Sequence, residues 1–221
     1  MGIKKEVIIG DCRLLLGDNR EILPLLSDIG AILTDPPFGL GDKMQGGSWG
    51  ATEKYKKMRE WDQNAPSLDF LLNMNVPTVI WGGNYFPLPP SRKWLVWNKH
   101  RRNLTMADGE LAWCSWDGNL RICDIYEPNG TYIRYHSTQK HLGLIMWCIK
   151  QLPEYQGVLL DCYLGSGTTG VACAKMGRKF IGIELDEDYF NIACKRITEA
   201  YQSPDLFIEA AKKPEQLNLI G

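Results

Sequence analysis

Residues 157–185 read GVLLDCYLGSGTTGVACAKMGRKFIGIEL, and the fold is decided by how that stretch is parsed. The apolar run 157–165 ends in Asp161 and opens into Gly165-Ser166-Gly167-Thr168-Thr169-Gly170. The segment 168–177 has helical character, and 179–185 is a second apolar run ending in Glu184-Leu185. A strand, a Gly-x-Gly-x-x-Gly loop, a helix, a strand and then an acid about twenty residues on is the pattern of a site for an adenosine-containing cofactor. The glycines let the backbone approach a ligand, and the acid can accept from both ribose hydroxyls. A lone glycine triplet is a weak signal, since a tight turn with close helix packing also uses it; its strand and acid context makes it specific.

Working outward, the chain repeats the alternation. Hairpin strands are expected over 6–18, a short helix over 19–26 with Asn19 as N-cap, and a buried strand over 30–35. Further strands are expected over 77–83, 93–99 and 109–116, and helices over 142–152 and 186–201. This is an open, mostly parallel Rossmann-like α/β sheet, which binds ligands at the carboxyl ends of its strands. Fewer than sixty residues follow the glycine loop, too few for the rest of such a sheet, so N-terminal strands must complete it. The motif order is therefore circularly permuted. The 221 residues are expected to form a single domain, 1–221, with a catalytic half at 1–116 and a cofactor half at 136–201. Between them lies an irregular segment, 117–135, and the tail is 202–221. The stretch 39–66, with Trp49, Tyr55 and Trp61, reads as a long functional loop.

Composition narrows the classes. The net charge of −1 argues against a bulk polyanion binder but leaves room for local basic patches such as 54–59 and 99–102. The seven cysteines contain no Cys-x-x-Cys pair, and the three histidines do not pair with them at ligand spacing, so free thiols and no metal are expected. No signal peptide or membrane span is apparent, and a cytoplasmic protein of a bacterial or phage-infected cell is expected. Trp81, Trp94, Trp97 and Trp113 alternate within strands and are assigned to the core.

Two carboxylates give the chemistry. Asp161 stands at the mouth of the glycine loop, where it would repel a pyrophosphate but suit the ammonium and sulfonium of S-adenosylmethionine. No Gly-Lys-Ser/Thr follows, which excludes a P-loop. The strand 30–35 ends in Thr34-Asp35-Pro36-Pro37-Phe38. The Asp35 carboxylate and the Pro36 carbonyl can accept from both N–H bonds of an exocyclic amine, biasing it toward a more nucleophilic pyramidal state. The prolines fix the backbone so that both acceptors point inward. Phe38 can stack on a base. A DPPF string alone is a turn as often as a site.

The two blocks together resemble the DNA amino-methyltransferases that act on adenine N6 or cytosine N4, in the permuted beta group, with prophage-type adenine enzymes the nearest likeness. The resemblance covers roughly residues 7–198. It implies Asp35, Pro36, Pro37 and Phe38 as catalytic residues. It implies a cofactor site of Asp18, Asp35, His136, Thr138, Gln139, Lys140, Asp161, Tyr163, Gly165, Ser166, Gly167, Thr168, Thr169, Glu184 and Leu185. Lys140 is the candidate partner of the methionine carboxylate, by charge pairing. Lys99, Arg101 and Arg102 are expected on phosphate, and Arg121 and Arg134 in a base-reading segment at 117–135. The implied partner is double-stranded DNA with an extruded base entering between Phe38 and the loop 39–66; homodimers occur among such relatives. Asp at 35 favours adenine. The alternatives are cytosine N4, a degenerate remnant that only binds DNA, a nicotinamide dehydrogenase, and methylation of RNA or a protein glutamine. Ser137, His141, Cys162 and Tyr163 depart from the usual prolines and Pro-Phe of the family blocks.

Overall fold

The computed structural model describes residues 2–41, 62–100, 107–125 and 139–203. Among them the chain forms one sheet of nine strands. The strands are β1 (Lys5–Ile9), β2 (Cys12–Leu16), β3 (Ile29–Thr34), β4 (Thr78–Trp81), β5 (Trp94–Asn98), β6 (Gly109–Cys114), β7 (Arg121–Cys123), β8 (Val158–Asp161) and β9 (Phe180–Glu184). The helices are α1 (Asn19–Ile22), α2 (Asp69–Leu72), α3 (Leu142–Gln151), α4 (Thr168–Met176) and α5 (Glu187–Gln202). Strand order is β1-β2-β9-β8-β3-β4-β6-β5-β7. The β2–β9, β9–β8, β8–β3 and β3–β4 pairs are parallel, and β6 runs antiparallel to both its neighbours.

The N-terminal hairpin does complete the sheet from the far side. β2 pairs in parallel with β9, Leu16 opposite Glu184. β3 and β8, more than a hundred residues apart, lie side by side with Ile32 opposite Leu160. From this pair the chain proceeds outward in both directions, β8 to β9 and β3 to β4. A crevice opens at the carboxyl ends where such a split occurs.

The helices cover both faces. α3, α4 and α5 bury Leu144, Ile145, Val171, Phe190, Ala193 and Ile197 against Leu14, Leu33 and Leu159. On the opposite face Ile22, Leu68, Leu71 and Phe86 pack on Ile32, Ile80 and Leu160. Spacing of Phe190, Ala193 and Ile197 at three and four residues places them on one stripe of α5. Its N-cap is Asp186, whose carboxylate accepts from the Tyr189 N–H at 3.0 Å.

Two local expectations are corrected. Asp18, not Asn19, caps α1: its side chain accepts from the Arg20 N–H at 2.9 Å. Asn19 is the first helical residue, and its amide donates to the Cys162 carbonyl at 3.0 Å. The segment 117–135 was expected to be irregular, yet Arg121–Cys123 pair in parallel with β5. The stretch ahead of β4 contains the single-turn helix α2. Of the loop 39–66, residues 42–61, with Trp49, Tyr55 and Trp61, lie outside the described residues, as does the tail from 204. Its two ends are joined: buried Asp62 accepts from the Gly39 and Leu40 N–H groups at 2.9 and 3.2 Å.

Candidate active site

A cleft of about 770 Å³ opens at the carboxyl ends of β3, β8 and β9, within the size range of small-molecule sites. The glycine loop forms one wall. Gly167 sits at the N-terminus of α4 with φ 81°, and a Cβ there would lie 2.8 Å from that of Ala193. Loop and α5 can approach this closely only without a side chain. Arg196 of α5 ties the loop down: its guanidinium donates to the Ser166 carbonyl, to Ser166 Oγ at 2.9 Å and to Thr168 Oγ1 at 3.3 Å. Ser166 Oγ also donates to Gln139 Oε1 at 3.1 Å. Sequence reasoning missed Arg196, which looks like any cation on an amphipathic helix.

Besides Asp35 and Asp186, three carboxylates line the cleft. Asp161 is buried and accepts from Thr169 Oγ1 at 2.7 Å, Thr34 Oγ1 at 2.8 Å and the Tyr163 N–H at 3.1 Å. Burial pushes its pKa up to about 6 despite these donors. Glu184 accepts from the N–H groups of Gly165 at 2.6 Å and of Leu185 and Asp186 at 2.9 Å each. Burial raises it to about 6 as well. Asp18 forms the outer lip, held by the Arg20 guanidinium at 2.6 Å, which keeps its carboxyl below the usual range. Leu185 is 63% exposed at the same lip.

Asp35 differs from all of these. Its Oδ2 accepts from the Lys140 ammonium at 2.6 Å, while its Oδ1 is buried with no hydrogen-bond partner among the described residues. Burial raises its pKa, and the Lys140 charge opposes that rise. The structure gives Lys140 a different partner from the expected cofactor carboxylate. Its Nζ is also 3.1 Å from Glu110 Oε2 and lies over the rings of Trp81 and Phe38, 5.3 and 5.7 Å from their centroids. Lys99 likewise turns inward, its ammonium paired with Glu110, so it is not a free phosphate ligand in this structure. Burial alone would raise Glu110; the two ammoniums outweigh it and draw its pKa down to about 2. Charges thus alternate along Asp35, Lys140, Glu110 and Lys99, the arrangement that lets buried ions persist. Nothing in the local sequence marks Glu110 beyond a strand position.

Phe38 is not part of the cleft wall. Its ring stacks on Tyr85, centroids 5.0 Å apart at 19°, and meets Phe86 edge-on. The space exists because residue 82 is glycine: a Cβ there would lie 2.2 Å from Phe38 Cε1, and φ is 66°. Pro37, Gln139, Tyr163, Thr168 and Thr169 all border the cleft. Arg121 is exposed on β7. His136, Thr138, Arg101, Arg102 and Arg134 fall outside the described residues. His141, where the family block usually has proline, instead caps α3 through Nδ1, which accepts from the Gly143 N–H at 3.1 Å.

The residues fit a cationic adenosine ligand. Two buried carboxylates with raised pKa values face one space with the loop backbone between them. A Cβ built on Gly165 would meet no protein atom within 4 Å, so the backbone is open to a ligand there. Among the described residues no cluster of metal-ligating side chains occurs, and no helix is long and apolar enough to cross a membrane.

Comparison with known proteins agrees. The family model described as DNA methylase matches residues 73–195. The Type II methyltransferase M2.LlaDCHI of Lactococcus lactis subsp. cremoris is 34% identical over 92 residues, 42% of this chain and 32% of that protein. M2.DpnII of Streptococcus pneumoniae is 42% identical over 92 residues, with the same coverage. The chain therefore matches about a third of the length of these curated relatives. The structure of M1.HpyAVI in complex with SAM superposes with a TM-score of 0.52 at 26% identity, covering 84% of this chain and 99% of that one. The PvuII methyltransferase, described as cytosine-N4-specific, shares the fold with a TM-score of 0.56 at 18% identity, covering 90% of this chain and 95% of that one.

Proposed function

The chain belongs to the DNA methylase family, and we propose that it transfers a methyl group from S-adenosylmethionine to the exocyclic N6 amine of an adenine extruded from double-stranded DNA. The observation that carries this reading is the Asp35 carboxylate: one oxygen is fixed by Lys140 and the other is left without a donor at the edge of the cleft. A buried acceptor with no partner costs free energy, and an amine N–H would satisfy it.

When bound, S-adenosylmethionine supplies an electrophilic methyl group on a sulfonium. Glu184 is the acceptor for ribose hydroxyls, and Asp161 faces the positive charge of the methionine end. Gly165, Ser166 and Gly167 present the loop, and Leu185 packs at its lip. Asp35 Oδ1 accepts one N–H of the target amine and the Pro36 carbonyl the other. Together they hold the nitrogen lone pair out of conjugation with the base. Lys140 keeps Asp35 ionised, so that Oδ1 can also hold the proton the amine sheds. The stacked Phe38 and Tyr85 rings lie outside the cleft wall and support the Asp-Pro-Pro turn from beside it. Arg121, Arg101, Arg102 and Arg134 serve the DNA, and positioning supplies most of the rate.

The test is tritiated methyl transfer to unmethylated DNA, followed by nucleoside digestion, for the wild type beside Asp35→Ala. N6-methyladenine from the wild type alone is the expected result. N4-methylcytosine would reassign the base. Absence of transfer with the cofactor still bound would refute the reading.

A further inference from the structure

A second buried polar atom at the cleft has no partner. Trp81 ends β4, is 1% exposed, borders the cleft, and its Nε1–H has no hydrogen-bond acceptor among the described residues. Buried indole N–H groups ordinarily find one. Its position relative to Asp35 is fixed by the sheet. β3 and β4 run parallel, with Leu33 opposite Val79 and Thr34 opposite Ile80. The next pair in that register is Asp35 and Trp81. Side chains alternate along a strand, so Asp35 shares a face with Leu33 and Trp81 with Val79, and Leu33, Val79 and Trp81 belong to the same core cluster. The Lys140 ammonium, bonded to Asp35 and lying over the Trp81 ring, touches both. An unsatisfied acceptor, Asp35 Oδ1, and an unsatisfied donor, Trp81 Nε1–H, therefore belong to residues that are neighbours across the β3–β4 pair and that both border the cleft.

We propose that Trp81 is a specificity residue: its indole N–H donates to the ring nitrogen next to the target amine while Asp35 Oδ1 accepts from the amine itself. The inference rests on the function proposed above and names the class of base the site admits. Adenine offers N6–H beside the acceptor N1, and cytosine offers N4–H beside the acceptor N3. Both match the pair. On the corresponding edge guanine presents O6 beside N1–H, and thymine O4 beside N3–H. These set an acceptor against Oδ1 and a donor against Nε1–H, leaving all four groups unpaired. The pair thus distinguishes the 6-amino edge of adenine and the 4-amino edge of cytosine from the corresponding keto edges of guanine and thymine through buried hydrogen bonds, the kind of contact that discriminates most sharply.

The test is a two-by-two cycle. The methylated site is first read by sequencing DNA treated with the wild-type enzyme. Duplexes are then synthesised with adenine or 1-deazaadenine at that site, the latter carrying C–H in place of N1. 3-Deazacytosine is used instead where the product is N4-methylcytosine. kcat/KM is measured for the wild type and for Trp81→Phe, which keeps a ring and loses the donor. The wild type is expected to lose about tenfold or more on the deaza base, the scale of one buried hydrogen bond. Trp81→Phe is expected to lose a similar factor on the natural base and nothing further on the deaza base, with S-adenosylmethionine binding unchanged. A 7-deazaadenine duplex should leave both enzymes unaffected. Additive losses, or a wild-type rate for Trp81→Phe on the natural base, would overturn the proposal. If Trp81→Phe fails to bind the cofactor, the wild-type response to the deaza base decides: an undiminished rate overturns the contact. Absence of transfer by the wild type to any DNA would instead remove the function reading, and this inference with it.

Discussion

Lys140→Met separates two roles that one lysine could play. The ammonium lies 2.6 Å from Asp35 Oδ2. At an effective dielectric of about 20, that separation corresponds to an attraction of about 6 kcal/mol. Water entering the vacated space will screen part of the change. Even a third of it, about 2 kcal/mol, is about thirtyfold in rate. The sign follows from the groups around Asp35. Burial already raises its pKa, and Lys140 is the largest influence lowering it. Without Lys140 the carboxyl protonates more readily, loses its acceptor character, and must be ionised by raising the pH. The variant is therefore expected to show kcat reduced by about thirtyfold or more at pH 7, with partial recovery at higher pH. Its KM for S-adenosylmethionine should be little changed. Removing one member of a buried ion pair costs about 3–5 kcal/mol of stability, so thermal melting of the variant accompanies the kinetics. The double variant Lys140→Met, Asp35→Asn should recover much of the lost stability and none of the activity. A raised KM for the cofactor, with kcat and its pH profile unmoved, would refute this reasoning and return Lys140 to the methionine carboxylate.

Asp161 and Glu184 both have folded-state values near 6, above their ordinary values. Cofactor affinity, measured by calorimetry from pH 8 to 5, is expected to fall as pH drops through about 6, approaching tenfold per unit for each carboxylate that must ionise. The same shift makes the ligand-free protein gain stability from these two groups on acidification, a contribution lost again as pH rises through about 6; thermal melts across that range check it. Gly82→Ala would force Phe38 away, since the added Cβ falls 2.2 Å from its ring; a stability loss of about 1–3 kcal/mol and reduced transfer with unchanged cofactor binding are expected. Arg196→Met removes the one guanidinium nitrogen that donates to three oxygens of Ser166 and Thr168 and should raise KM for the cofactor about tenfold while leaving kcat close to wild type, as steady-state titration of S-adenosylmethionine would report.

The parts of the site legible in the sequence are those encoded locally. Residues 158–184 give strand, loop, helix, strand and acid in one continuous run, and each formed where its pattern placed it. Asp35 was legible because two prolines after a carboxylate are an unusual way to end a buried strand. The N-terminal hairpin was legible from length, since the sheet needed strands that the C-terminal half could not supply. What escaped was pairing across sequence distance. Lys140 and Asp35 are 105 positions apart, and choosing among several carboxylates for one lysine requires the sheet order. Glu110 sits inside an ordinary strand pattern and becomes distinctive only when β6 lies beside β4. β7 escaped for a different reason: Arg121 and Ile122 are both exposed on an edge of the sheet, so no alternation marks it.

The arrangement also says why the cleft prefers one nucleoside cofactor over another. Thr34 donates to Asp161 at 2.8 Å, and the next residue in the chain is Asp35, so the two half-sites meet across the β3–β8 pair. Their carboxylates are close enough that the charge on Asp35 contributes to raising Asp161. A dinucleotide would bring a pyrophosphate to the glycine loop and add to this repulsion in a poorly hydrated space. A ligand carrying ammonium and sulfonium charge would relieve it, and would favour the ionised forms of both acids at once. Lys140 cannot serve as the countercharge for a phosphate, because Asp35 and Glu110 already hold it. The electrostatics that suit S-adenosylmethionine are thus the same ones that exclude a nicotinamide cofactor, although both families share the loop and the ribose-binding acid.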